Sequence, residues 1–220
     1  MNSSFEFSAA IFDLDGTLLY TLEEIAAATN AALVRRGYPE HPVSAYRHFV
    51  GSGAKKLAWR ALPEDKQNEE EFEALYPFVI EEFERLLNTI ARPYDGVVDM
   101  LHAFSAAGKK LAVLSNKPDE LTKLVVKEFL PEIEFVAVQG GRADVPLKPA
   151  PDSALNVAAT MELAPEQIIF VGDSDVDMNT ARNAGMIPVG AGWGFRGADE
   201  LAAAGAAVVL SEPSELKSLL

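Results

Sequence analysis

Polar residues able to do chemistry stand at the ends of short apolar runs. Ala9-Ala-Ile-Phe12 leads into Asp13 and Asp15. Lys110-Leu-Ala-Val-Leu114 leads into Ser115-Asn116, and Ile168-Ile-Phe-Val171 leads into Gly172-Asp173-Ser174-Asp175-Val176-Asp177. Pro146-Leu147-Lys148-Pro149 sets a Lys in a stiff loop, because Pro fixes its own φ and restricts the residue before it. Carboxylates gathered in one cleft repel each other unless a cation sits among them. These motifs hold no His and the chain has no Cys, so the ligands are hard oxygens, which favour Mg²⁺ over zinc. A cation of that kind beside one Lys and one Ser hydroxyl suits a phosphate group. One carboxylate could then attack phosphorus to give an aspartyl-phosphate while a second handles protons.

Plainer readings stand beside these. An Asp in a loop after a strand is usually a helix cap, and Ser174 and Asp175 fit that role. Asp13 and Asp15 do not, since two carboxylates at one strand end have no structural reason to be there. Lys148 alone would be a solvated side chain. Trp59, Trp193 and Met178 read as packing, His41, His48 and His102 as surface or satisfied residues, and the acidic stretch Glu64–Glu84 as a solvated helix face.

The elements that must position these groups alternate. Apolar runs at Ala9–Phe12, Lys110–Leu114, Phe135–Val138, Ile168–Val171, Ile187–Gly190 and Ala207–Leu210 read as buried strands. Helical patterns lie between them at Val97–Ala107, Asp119–Phe129, Asp152–Met161, Asp175–Ala184, Ala198–Ala204 and Pro213–Leu219. Such alternation predicts an α/β fold, a doubly wound parallel sheet with both faces covered and a Rossmann-like core. Ligands then bind beyond the carboxyl ends of the strands, where the Asp, Ser and Asn residues lie. From Leu22 to about Ala91 there is no strand pattern. Helices are expected at Glu23–Arg36, Ser44–Phe49, Ala54–Leu62 and Glu69–Leu87, with Pro77 kinking or splitting the last. The expected division is residues 1–19 and 92–220 as the core and 20–91 as an inserted all-helical cap, hinged near Leu19–Thr21 and Ala91–Gly96.

Composition narrows the partners. The chain has 220 residues, with Lys+Arg 19 against Asp+Glu 33 and a net charge of −14. That length buries roughly 70% of the unfolded surface and needs no staples. A nucleic-acid partner requires a basic face that this chain does not supply, and acidity opposes adhesion to anionic lipid. The absence of Cys removes disulfides, thiolate metal sites and a Cys nucleophile, and points to a reducing compartment. The amino-terminal MNSSFEFSAAIFDLDG has neither a basic region nor a long apolar stretch, so no signal peptide is expected. The expectation is a cytoplasmic monomer or homodimer with a small-molecule partner.

Phe12-Asp-Leu-Asp-Gly-Thr-Leu18 resembles the first motif of the haloacid dehalogenase superfamily. Leu114-Ser115-Asn116 resembles its second motif, Lys148-Pro149 its third and Gly172-Asp-Ser-Asp-Val-Asp177 its fourth, in the family's order. Phe49-Val-Gly-Ser-Gly-Ala-Lys-Lys-Leu57, Ser115-Asn-Lys-Pro118 and Asp177–Gly185 followed by Trp193-Gly194 are similar to the phosphoglycolate phosphatase branch, which carries a small helical cap. The resemblance implies Asp13 as nucleophile and Mg²⁺ ligand, and Asp15 as general acid, then base, and a ligand through its backbone carbonyl. It implies Asp173 as the third protein ligand and Asp177 as support. Ser115 and Lys148 would hold the phosphoryl group with help from the Asn116 backbone, and Thr17 would also serve the substrate. Gly51, Gly53 and Lys55 are the cap residues expected at the substrate, with Arg47, Lys56 and Arg60 as neighbouring basic candidates.

The reaction so implied is Mg²⁺-dependent hydrolysis of a small phosphorylated metabolite, 2-phosphoglycolate first, through an aspartyl-phosphate. Pyrophosphatase or nucleotidase activity and a phosphomutase of the same superfamily are the alternatives. Mutase relatives usually show Glu-Asp-Ser in the fourth motif, where this chain has Gly172-Asp-Ser. A phospho-accepting signalling receiver also uses an acidic pair, Mg²⁺, a hydroxyl and a Lys, but would be shorter and lack the helical insert.

Overall fold

The computed structural model describes residues 6–220. Residues 1–5, part of the stretch expected to carry no signal peptide and of the expected core segment 1–19, lie outside it.

β1 (Ala9–Phe12), β4 (Lys110–Pro118), β5 (Ala137–Gly141), β6 (Ile168–Gly172), β7 (Ile187–Ala191) and β8 (Val208–Leu210) form one sheet in the order β5-β4-β1-β6-β7-β8. Every pairing in it is parallel. The crossovers are α5 (Val97–Ala106), α6 (Asp119–Phe129), α7 (Asp152–Met161), α8 (Asp175–Ala184) and α9 (Ala198–Ala203). Side chains alternate along β1. Ala10 and Phe12 join the core beneath α5 and α6, while Ala9 and Ile11 join the core beneath α7 and α8. Both faces are therefore apolar, which is why the strands read as continuous hydrophobic runs. Strand order reverses at β1: the chain adds β4 and β5 on one side, then β6 on the other. This switch point opens a crevice at the carboxyl ends of β1 and β6.

The helical insert follows β1. α1 (Leu22–Arg35), α2 (Tyr46–Phe49), α3 (Ala54–Ala61) and α4 (Glu69–Leu86) pack around their own apolar cluster, with Leu33, Tyr46, Leu75 and Val79 at its centre. The chain leaves and re-enters the core through two short antiparallel strands, β2 (Leu19–Tyr20) and β3 (Arg92–Pro93). Buried Glu24 on α1 accepts three hydrogen bonds, from the amides of Thr89, Ile90 and Ala91 at 3.0, 3.1 and 3.2 Å. One carboxylate thus ties the start of the insert to its return segment.

Five local expectations are corrected. The third core strand lies at Ala137–Gly141 rather than Phe135–Val138. A Cβ on Gly140 would stand 2.5 Å from the Asp119 Cα at the start of α6, and one on Gly141 would stand 3.0 Å from the Asn116 carbonyl oxygen of β4, so β5 ends in glycines that neighbouring backbone presses against. α4 runs unbroken through Pro77, whose one missing amide is outweighed by packing against α1. Ser44–Phe49 divides into a 3₁₀ turn at Val43–Ala45 and α2, and Pro213–Leu219 is 3₁₀ rather than α-helical. Glu82, within the acidic stretch read as solvated, is buried between Arg35 at 3.0 Å and Arg85 at 2.6 Å.

Among the described residues, no helix is long and apolar enough to cross a membrane.

Candidate active site

Asp13 is the first residue beyond β1, and its amide donates to the Val171 carbonyl of β6 at 2.9 Å. Its carboxylate is therefore delivered at the switch point. Oδ1 accepts the Leu14 amide at 2.7 Å and lies 3.0 Å from the Lys148 Nζ. No described residue donates a hydrogen bond to Oδ2. Lys148 is almost wholly buried and donates to Asp177 Oδ1 at 2.7 Å. The other oxygen of Asp177 accepts from the Ser174 amide and hydroxyl, at 3.2 and 2.7 Å. Asp177 is the third residue of α8 and Ser174 its N-cap, so the helix start fixes this carboxylate.

Asp173 follows β6. Its Oδ2 accepts the Phe195 amide at 2.7 Å, and no described residue donates to its Oδ1. Gly16 has φ +86°, and a Cβ there would stand 2.3 Å from Asp173 Oδ2. Only glycine lets the β1 turn come this close. One oxygen from each of Asp13, Asp173 and Asp177 lies within 4.8 Å of the others.

Burial raises the Asp13 carboxyl to about 7, and the neighbouring Asp177 adds to the shift while Lys148 opposes it. Burial also pushes Asp173 well up, with Asp177 and Asp13 adding to it. Burial would pull the Lys148 ammonium down, but Asp13 and Asp177 outweigh it and hold it above its usual value. Three buried carboxylates served by one ammonium thus lack positive charge, and their donors are all oxygen. That set fits a hard divalent cation. Asp13 Oδ2 and Asp173 Oδ1 are the oxygens left for it, because Asp177 spends both of its own on Lys148 and Ser174.

A pH dependence follows. Below about pH 4, Asp13 is protonated whether the chain is folded or not. Between there and about pH 7 the folded protein binds more protons than the unfolded, so stability falls as pH rises. Without added metal, the melting temperature is expected to drop between pH 5 and pH 7.5. Mg²⁺ is expected to raise it far more at pH 7.5 than at pH 5. Equal Mg²⁺ shifts at both pH values in a thermal denaturation series would contradict the cation site.

The Asp15 carboxylate is not one of the clustered trio. It accepts the Thr21 hydroxyl at 2.8 Å and lies 3.6 Å from the Lys117 Nζ. Thr21 is the N-cap of α1, so this carboxylate is held by the first residue leading into the helical insert.

A cleft of about 590 Å³, its open mouth included, lies over Asp13, Asp15 and Asp173. Ser115, Asn116, Gly51 and Gly53 also line it. Lys148 and Asp177 do not. They lie beneath Asp13, so the ammonium faces carboxylates rather than the open cleft. The Asn116 side chain is committed elsewhere. Its Nδ2 donates to the carbonyls of Gly51 and Lys148, both at 2.9 Å, and its Oδ1 accepts the Lys148 amide at 2.9 Å. One amide thereby fixes the Lys148 loop and touches the cap.

Two expected substrate residues are not brought to the cleft. Thr17 is fully buried, its hydroxyl without a partner among the described residues and its carbonyl accepting Trp193 Nε1 at 2.9 Å. Lys55 is exposed, as is Lys56, because Leu57, Ala58 and Ala61 set the buried face of α3. Arg60 donates to the carbonyls of His48 and Phe49 at 3.2 and 3.0 Å and so supports the loop before Gly51.

Other residues take their place. Arg47 and Arg196 line the cleft, as do Lys117 and Phe83, the latter from the acidic helix expected to stand apart. The segment Trp193–Arg196 does more than pack. Phe195 holds Asp173 while joining the cap's apolar cluster, and Arg196 reaches the Val50 carbonyl at 3.3 Å.

Comparison with known proteins agrees with this geometry. A family model of haloacid dehalogenase-like hydrolases matches residues 10–191. A phosphoglycolate phosphatase of Xanthomonas campestris pv. campestris (strain 8004) is 34% identical over 209 residues, covering 94% of each chain. One from Mannheimia succiniciproducens is 33% identical over 202 residues, covering 89% of each. The crystal structure of a predicted phosphoglycolate phosphatase from Haemophilus somnus 129PT superposes with a TM-score of 0.88 at 28% identity, covering 96% of each chain. With motifs, fold and relatives in agreement over nearly its whole length, the chain belongs to the haloacid dehalogenase-like hydrolases.

Proposed function

We propose that this hydrolase is a Mg²⁺-dependent phosphatase of small phosphorylated metabolites, with 2-phosphoglycolate the first candidate, acting through an aspartyl-phosphate. The observation that carries this reading is the convergence of Asp13, Asp173, Asp177 and Lys148 at the carboxyl ends of β1 and β6. The names of its relatives support the substrate. Residues 20–91 act as the cap and the remainder as the catalytic core. The setting is the cytoplasm, the chain acts as a monomer or homodimer, and its partner is a free phosphorylated acid. Its acidity speaks against a nucleic acid.

Asp13 attacks with a carboxylate oxygen. A bond from that oxygen to phosphorus forms as the phosphorus–ester oxygen bond breaks. Asp15 gives its proton to the leaving alkoxide, and the alcohol departs. Asp15, now a base, takes a proton from water as that water attacks phosphorus. The Asp13–phosphorus bond breaks, phosphate leaves and Asp13 is restored. Lys148 orients Asp13 from beneath by holding Oδ1, and Asp177 orients Lys148. Ser115 offers a hydroxyl to the phosphoryl oxygens. Mg²⁺, held by Asp13, Asp173 and the Asp15 carbonyl, would supply positive charge to the phosphoryl oxygens. The cap covers the cleft and keeps bulk water away while the acyl phosphate exists.

The test is turnover by the purified chain across about 50 phosphorylated metabolites, with phosphate release as the readout. A compact phosphorylated acid should show the highest kcat/KM. Preference for a nucleotide or pyrophosphate would overturn the substrate assignment, and release from none would overturn the activity.

A further inference from the structure

We infer that Arg47 and Arg196 form an anion subsite that selects phosphomonoesters whose alcohol carries a carboxylate, an inference that rests on the phosphatase reading. Three cations line the cleft, Arg47, Lys117 and Arg196, and they are not equivalent. Lys117 is paired with Asp15. Arg47 makes no ion pair among the described residues. Among the described residues Arg196 pairs with Glu200 alone, at 3.6 Å, and Glu200 does not line the cleft. These two guanidiniums therefore bring positive charge to the cleft that no carboxylate within it balances.

They come from opposite sides. Arg47 lies on α2 of the cap, and Arg196 lies on the core segment between β7 and α9. Their chains are joined across the gap. Arg196 donates to the Val50 carbonyl at 3.3 Å and lies 3.2 Å from His48 Nδ1, so it grips the segment directly after Arg47. Its side chain is only 15% exposed and is held in place before any ligand arrives. The other cap side chains at the cleft are apolar, among them Ile25, Leu57 and Phe83. A charged leaving group entering beneath that roof has these arginines to meet its charge. A guanidinium presents paired N–H donors in the geometry of a carboxylate. The phosphoryl group is served separately at the floor, beside Ser115 and Asp173.

The experiment uses the full chain with Mg²⁺ and compares wild type with Arg47→Met, Arg196→Met and Arg196→Lys. Three substrates are measured: 2-phosphoglycolate, its neutral isostere 2-phosphoglycolamide, and p-nitrophenyl phosphate. Wild type should favour the acid over the amide by at least about 10-fold, the scale of one hydrogen bond between charged groups. Each Met variant should lower that ratio by about 10-fold, mostly through KM for the acid. Arg196→Lys should recover part of it. Arg47 is exposed and pairs with no described residue, so its replacement tests the subsite even if Arg196→Met folds poorly. Parallel losses on all three substrates would show that the arginines only fasten the cap, and would overturn the proposal. Hydrolysis of all three without an acid-over-amide preference would overturn it while sparing the phosphatase reading. Turnover of none would overturn both.

Discussion

Asp13→Asn should lower kcat by at least about 10⁴-fold, a barrier increase of about 5.4 kcal/mol. The substitution keeps the shape of the side chain. The amide oxygen can still accept the Leu14 N–H that now reaches Oδ1 at 2.7 Å. What is lost is charge and nucleophilicity. An amide does not displace an alkoxide from phosphorus, so the first step has no substitute within the cleft. Asp15 cannot take over, because its carboxylate is turned toward Thr21 and Lys117. Asp173 has one oxygen tied to the Phe195 amide, and the other is the one proposed for the cation. The loss should fall on kcat, since the variant keeps Ser115, the residue proposed to hold the phosphoryl oxygens. Fluoroberyllate, which mimics a phosphoryl group on a carboxylate, should bind wild type stably and fail to bind the variant. Turnover within 10-fold of wild type would mean that water, not Asp13, attacks phosphorus, and the aspartyl-phosphate route would fall.

Much of this arrangement is legible in the sequence because it depends on local rules. α6, α7 and α8 begin at Asp119, Asp152 and Asp175, each opening on an acidic first turn. The strands are legible because burial on both faces leaves no polar position within Ala9–Phe12 or Ile168–Gly172. The placing of Asp13 and Asp173 then follows from topology. β5 is harder to read because its last residues, Gly140 and Gly141, carry no side chain to pattern. Their reason for being there is the close backbone of Asp119 at the start of α6 and of Asn116 in β4, both more than twenty residues back along the chain. β2 and β3 are two residues each and exist only as a pair. The position of Lys55 is legible in the helix period. Leu57, Ala58 and Ala61 define the buried face of α3, and a step of about 100° per residue turns Lys55 away from it. Arg196 is another matter. Nothing local ties it to the cap, and its contact with Val50 spans the gap between two packed units. Asn116 was legible as a site residue but not as the clamp on Lys148 and Gly51, since both partners are distant along the chain.

Lys148→Met should remove nearly all activity, by about 10³-fold or more, and should also destabilise the fold. The ammonium stands between Asp13 Oδ1 at 3.0 Å and Asp177 Oδ1 at 2.7 Å, and Asp177 is wholly buried. Met fills a similar volume but supplies no charge. Two buried carboxylates would then face each other uncompensated, and breaking a buried pair in this way costs about 3–5 kcal/mol. The sign of the pH dependence separates this from a loss of packing. In wild type, Lys148 opposes the upward shift of Asp13, so its removal moves that carboxyl further up. The folded variant then holds its protons to higher pH than the unfolded chain, and its stability falls as pH rises. The deficit relative to wild type should therefore be small near pH 4 and largest above pH 7. A cavity or a clash would instead give a deficit independent of pH. Activity should be lost at every pH, because protonation relieves the repulsion only by removing the nucleophile. Lys148→Arg should recover part of the stability through its charge, but little of the rate, because a guanidinium cannot place one donor on both oxygens from the same buried point. Equal melting temperatures for wild type and Lys148→Met at pH 8 would show that Asp13 and Asp177 do not depend on this ammonium. Lys148 would then have no claim to orient the nucleophile.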